Sequence, residues 1–118
     1  MADYTRHSGR TTVSPDVLIT IARMATLSVP GVSHMAPVAG GVNRLFRRGE
    51  SSGVRVLVGE TSASVDLYVV LQQDVNIREV SRIIQQQVAR AIQEMIGMDV
   101  MAVNIHIEDI VNEVSSEA

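Results

Sequence analysis

The chain contains no cysteine, which removes disulfides, zinc–thiolate and iron–sulfur sites, and cysteine nucleophiles in one step. It contains no lysine either; all 10 basic side chains are arginine. Schiff-base chemistry and a Walker-type phosphate loop therefore lack their essential group. Aromatic residues make up only 3% of the chain, with no tryptophan, so base-stacking platforms of the RNA-recognition type are absent. No long apolar run is present. The longest stretch free of Arg, Asp and Glu, from Met24 to Asn43, is interrupted by Pro30, Gly31, Pro37 and Gly40-Gly41, whose freed backbone groups would find no partner in lipid. The opening Met1-Ala-Asp-Tyr-Thr-Arg lacks the apolar centre of a secretory signal, and the expectation is a cytoplasmic protein.

What is present is a chain of 118 residues, 46% hydrophobic and 19% charged, the size and balance of one globular domain. Thirteen acids against ten bases give a formal charge of −3, so nothing global draws it to nucleic acid or an anionic bilayer.

Ser14-Pro15-Asp16 reads as a helix start, with a hydroxyl available for capping, proline suited to the first turn and a carboxylate at the positive end of the dipole. Val17, Leu18, Ile21, Ala22, Met24, Ala25 and Leu27 then share about half the circumference until Pro30-Gly31 stops the helix. The β-prone Thr11-Thr12-Val13 before it is expected to form an edge strand. From 33 to 52 no period is sustained, and a long mobile loop is expected. Val54–Val58 and Ala63–Leu71, joined by Gly59-Glu-Thr-Ser62, read as a hairpin, the second strand alternating Val65, Leu67, Val69 and Leu71 against Asp66, Tyr68 and Val70. Asn76 stands three residues before Glu79, as in a capping box, and Ile77, Val80, Ile83, Ile84, Val88, Ala91, Ile92 and Met95 follow at helical spacing until Gly97. Val100–Ile107 is a last strand, with Met101, Val103, Ile105 and Ile107 assigned to one side. The order β-α-β-β-α-β predicts an α+β two-layer sandwich, a mixed sheet carrying both helices on one face.

Candidate chemistry is sparse. His7, His34 and His106 show no ligand spacing, and each reads as a solvent-facing or locally hydrogen-bonded histidine. Asp66 lacks a second acid in matching position and is expected to pair with an arginine such as Arg55 across the hairpin. The polar side of the long helix, with Arg78, Arg82 and Arg90 among glutamines, is mildly basic and reads as a solvated face, with a contact surface for a partner as the alternative. Arg44, Phe46, Arg47 and Arg48 form a short basic and partly apolar segment, a candidate contact for an acidic partner, an RNA backbone or a bilayer surface. Tyr68, Val70 and Ala102 point away from the helices and are less polar than a solvated sheet face requires, which makes them candidates for self-association.

Taken in order, these segments resemble the alkaline shock protein family of bacterial envelope stress response proteins, over about residues 9 to 111. The resemblance is carried by Gly9, Val13, Val17 and Gly31-Val32 around the first helix, Gly53-Val54 opening the hairpin, and Val65-Asp-Leu-Tyr-Val-Val70. It continues through Asn76-Ile77, Gln85 with Val88, Met95-Ile-Gly97 and the strand from Val100 to Ile107. Two departures stand out: Gln73-Asp74-Val75 replaces a tyrosine-glycine before Asn76, and Ile96 replaces a threonine. The resemblance implies a single domain over 9–111; the head (1–8) and the polar, acidic tail (112–118) are expected to be flexible from their composition. The resemblance further implies a non-enzymatic, homo-oligomeric scaffold of the envelope stress response, without cofactor or metal, docked to a membrane-anchored protein partner. An RNA- or ribosome-associated module and a small-molecule regulatory domain are the alternatives.

The helix over 77–96 is the strongest expected core element. Ile84→Asp should therefore bury an unpaired carboxylate and abolish the cooperative thermal transition, at a cost of several kcal/mol; circular dichroism melts of both proteins check this.

Overall fold

The computed structural model describes residues 9–37, 50–51 and 53–112. Seven elements follow one another: α1 (Pro15–Leu27), β1 (Val32–Met35), β2 (Glu50–Ser51), β3 (Val54–Val58), β4 (Ser62–Gln72), α2 (Ile77–Ile96) and β5 (Asp99–Val111). The α+β class, the mixed sheet and the placement of both helices on one face agree with the expectation. β1 and β3 pair antiparallel with β4, and β5 runs parallel to it.

Both helices form where their signals stand. α1 has Pro15 in its first turn and Asp16 beside it, but the Ser14 hydroxyl makes no capping bond; its carbonyl accepts from the Val17 amide at 3.0 Å instead. In α2, Asn76 Oδ1 accepts from the Glu79 amide at 2.9 Å, satisfying one of the free N–H groups of the first turn. Gly97, at φ 84°, closes the helix by donating to the Gln93 carbonyl at 3.0 Å.

The core lies between the helices and one face of the sheet. Leu18, Ala22, Ile84, Val88 and Ile92 meet Val54, Val65, Leu67, Val69 and Leu71, all fully buried. At roughly 25 cal/mol per Å² of apolar surface removed from water, this seam is the main favourable term of the fold. Thr26 is also fully buried and keeps its hydroxyl satisfied by donating to the Ala22 carbonyl at 2.7 Å. The α1 face is rotated from the expected one: Met24 is 64% exposed, and Val17 and Leu27 are exposed with it.

Two strand assignments are corrected. Thr11-Thr12-Val13 forms no strand, because the segment stands beside the β3–β4 and α2–β5 turns with Val13 packed on the core, and not along a strand edge. The expected loop at 33–52 instead begins inside β1 and ends with β2, which pairs Glu50 with Arg55 and Ser51 with Val54. β1 is too short to reveal a period, and its place is set by pairing with the far end of β4, Met35 opposite Val69.

β3 and β1 share one edge of β4 end to end, and they meet at Tyr68. The Tyr68 amide donates to the Gly53 carbonyl at 2.8 Å, and its carbonyl accepts from the Ala36 amide at 2.8 Å. Gly53 sits at φ 82°, and a Cβ there would lie 2.5 Å from the Ala36 carbonyl oxygen and 2.9 Å from Met35 Cβ. Only glycine fits both constraints. Gly53→Ala should lower unfolding stability by roughly 3 kcal/mol, read as a shift of the urea midpoint at unchanged m-value.

Candidate functional site

The sheet face opposite the helices can be read row by row from the strand register. Leu57, Ser64 and Ala102 form one row; Arg55, Asp66 and Asn104 the next; then come Tyr68 with His106, and finally His34, Val70 and Asp109. This alignment depends on a bulge. Ala63 is opposite Val100 but Ser64 is opposite Ala102, so Met101 drops out of the alternation. Val100 takes the core side with Val103, Ile105 and Ile107, whereas Met101, expected among them, is 70% exposed.

The middle rows hold the ionisable groups. The Tyr68 and His106 rings stack with centroids 4.4 Å apart and planes 10° apart. Asp66 Oδ1 accepts from His106 Nε2 at 3.2 Å, which requires the proton on Nε2. Arg55 stands directly opposite Asp66 in the ladder, as expected, with its guanidinium carbon 5.8 Å from the Tyr68 centroid, within cation–π range. Asp66 receives a hydrogen bond from His106, a partner that strand counting without the bulge would have missed by one residue. Asp66, His106 and Tyr68 are thus linked in turn on an open face, with Arg55 over the Tyr68 ring and with Asp66 and His106 only partly buried. Among the described residues no three His, Asp or Glu side chains converge to hold a metal.

The self-association candidates divide. Tyr68 and Val70 point outward but are each 6% exposed, packed with Ala36 and Val111 within their own chain. Ala102 is half-buried and lies between Ser64 and the bulged Met101. Its row ends at Leu57, which is 68% exposed. The open apolar part of this face is therefore its hairpin end, and Leu57 is the residue that sequence reading missed. Its outward position was legible from the alternation of β3; its exposure was not. Arg44, Phe46, Arg47 and Arg48 lie outside the described residues, as does His7. His34 takes part in a hydrogen bond with the Ser33 hydroxyl at 2.7 Å through Nδ1.

A cleft of about 480 Å³ opens between the 11–13 segment, the β3–β4 turn and the α2–β5 turn, and Glu60 is the one ionisable side chain that lines it. On the helix layer, Arg82 is held by Glu79 at 2.6 Å and Arg90 by Glu94 at 3.2 Å. No helix among the described residues is long and apolar enough to cross a membrane.

Comparison with known proteins matches residues 3–112 to the alkaline shock protein family, described as having a cell envelope-related function. The chain belongs to this family. It is 37% identical over 112 residues to the uncharacterized protein Spy1535 of Streptococcus pyogenes, covering 92% of this chain and 84% of that one. To the uncharacterized protein YqhY of Bacillus subtilis it is 28% identical over 103 residues, covering 86% and 76%. Among solved structures, a single-substitution variant of MamM-CTD superposes with a TM-score of 0.50 at 13% identity, covering 80% of this chain and 95% of that one. At that identity the likeness is one of fold.

The Tyr68–His106–Asp66 cluster tightens the β4–β5 pairing. His106→Ala should lower stability by about 1 kcal/mol, the stacking and hydrogen-bond contributions after allowance for solvent screening. Equilibrium urea unfolding measures it, and a neutral effect would mean the stack contributes nothing.

Proposed function

We propose that this chain is a non-enzymatic scaffold of the cell envelope that stays in the cytoplasm, self-associates through the hairpin end of its outer sheet face and docks to a membrane-anchored partner. One observation carries the reading: the row Leu57, Ser64 and Ala102, with Met101 beside it, leaves two large apolar side chains about 70% exposed and includes no charged residue. Apolar surface of this kind on a sheet face is stabilised by covering it, and a second copy of the same face offers matching chemistry.

The polar cluster supports a non-catalytic role. Asp66 and His106 are engaged with each other and His106 with the Tyr68 ring, on an open face rather than in a water-excluding cleft next to a nucleophile. Two arginines of the α2 polar side are held by neighbouring glutamates, which favours a protein-binding scaffold over an RNA-binding module, where free arginines would face phosphates. The family's envelope-related function supports the setting.

Burial of Leu57 and Met101 resists salt, unlike arginine-mediated contacts. Replacing both by glutamate should lower the mass seen by sedimentation velocity at high and low salt alike, with the melting transition retained. An unchanged mass would remove the outer face as the interface.

A further inference from the structure

β5 pairs only with β4 among the described residues, which leaves its other edge open along a strand of 13 residues. Register shifts against β4 mark irregularities at Met101 and Glu108, so the regular stretch is Ala102–Ile107. Bulges of this kind turn the ends of an edge strand away from a partner and confine pairing to the part between them.

Which backbone groups face outward follows from one hydrogen bond. Gln85 Nε2 donates to the Val103 carbonyl at 3.0 Å, so the Val103 carbonyl is reached from outside the β4 ladder. Because N–H and C=O of one residue point to the same edge and alternate along a strand, Val103, Ile105 and Ile107 present their backbone groups to the open edge. Gln85 is exposed, and the carbonyl it covers keeps a second lone pair.

We infer that the occupant of this edge is β5 of a second copy, antiparallel and centred on Ile105. Centring there places Ile105 opposite itself and Val103 opposite Ile107, so every outward-facing residue of the regular stretch exchanges both of its hydrogen bonds, roughly six in all. Centring on Asn104 or His106 pushes an outward residue against a bulge and loses about two of them. Charge agrees with the same register. Asp99 falls opposite Val111, Glu108 opposite Ala102 and Asp109 opposite Met101, so no acid meets an acid, whereas centring on Asn104 would set Asp99 against Asp109. On the helix side, the half-buried Val103, Ile105 and Ile107 meet their counterparts as β-branched cross-strand pairs.

The two-fold axis of such a pair is perpendicular to the sheet, so both helix layers lie on one side and both outer faces on the other. The edge thus deepens the scaffold reading given above while using different residues: it doubles the outer face that carries Leu57 and Met101.

The absence of cysteine makes the register directly testable. Asn104 and His106 are opposite each other across the dyad at a non-hydrogen-bonded position, where Cα atoms stand about 4.5 Å apart, within disulfide range. Copies carrying Asn104→Cys mixed with copies carrying His106→Cys, at tens of micromolar under mild oxidation, should give a disulfide-linked dimer on non-reducing gels, with far less from either variant alone. No excess in the mixture, or a wild-type chain that sediments as a monomer at the same concentration, overturns the proposal. Ile105→Pro, added to both cysteine variants, removes an outward N–H without taking one from β4 and should abolish the mixed crosslink while keeping a cooperative melt; a folded variant that still crosslinks also overturns it. If that variant does not fold, the cysteine mixture decides alone. Leu57→Glu, which lies on β3 and takes no part in the β5 edge, should leave the mixed crosslink intact, so loss of the outer-face contact and loss of the edge are read separately.

Discussion

Strand β4 is the constraint on which the rest of this structure depends. Its 11 residues are hydrogen-bonded along both edges, to β3 and then β1 on one side and to β5 on the other. Its helix-facing residues from Ala63 to Leu71 are buried throughout. The β-prone segment before α1 stays outside the sheet, beside the β3–β4 and α2–β5 turns, with Val13 packed on the core. The handover at Tyr68 is the tight point. One residue bonds to two different strands there, and Gly53 gives up its side chain so that the backbones can approach.

The same strand organises the outer face. At the Tyr68 end, the chain covers its own apolar residues with Ala36, Val111 and the His106 ring. At the hairpin end it does not, and Leu57 and Met101 face solvent. A sheet face that is closed at one end and open at the other is a more specific contact surface than a uniformly apolar one, because a partner can seat only where water is still to be displaced. The cluster of Arg55, Asp66, Tyr68 and His106 marks the boundary between the two. Within it His106 both donates to Asp66 and stacks on Tyr68.

The chain belongs to an envelope-related family and shares a two-layer fold with MamM-CTD at low identity. Its surfaces are unlike one another. The helix layer carries intrahelical ion pairs, worth little individually, the outer sheet face offers a small apolar end, and β5 offers backbone. Burial of apolar area, strand pairing and charge respond differently to salt and to substitution, so contacts made by these surfaces are separable by experiment.

Local chemistry in the sequence determined both helices, including the Asn76 cap and the Gly97 stop, and the β3–β4 hairpin. It also determined which residues of β4 face the core, because periods of 3.6 and 2 are written into nearest neighbours along the chain. It further assigned Tyr68, Val70 and Ala102 to the outer face, and Asp66 to a position opposite Arg55. Tertiary structure alone decided the rest. The bulge at Met101 shifts β5 by one residue, which exposes a methionine that alternation had placed inside and brings His106, not Ile105, onto Tyr68. β1 exists only because the end of β4 has an unfilled edge, and α1 is rotated so that Met24 faces water. Burial of Tyr68 and Val70 likewise depends on Ala36 and Val111, residues far away in sequence. Pattern along the chain reports which way a side chain points; how much water it keeps is set by what folds over it, and that information is non-local.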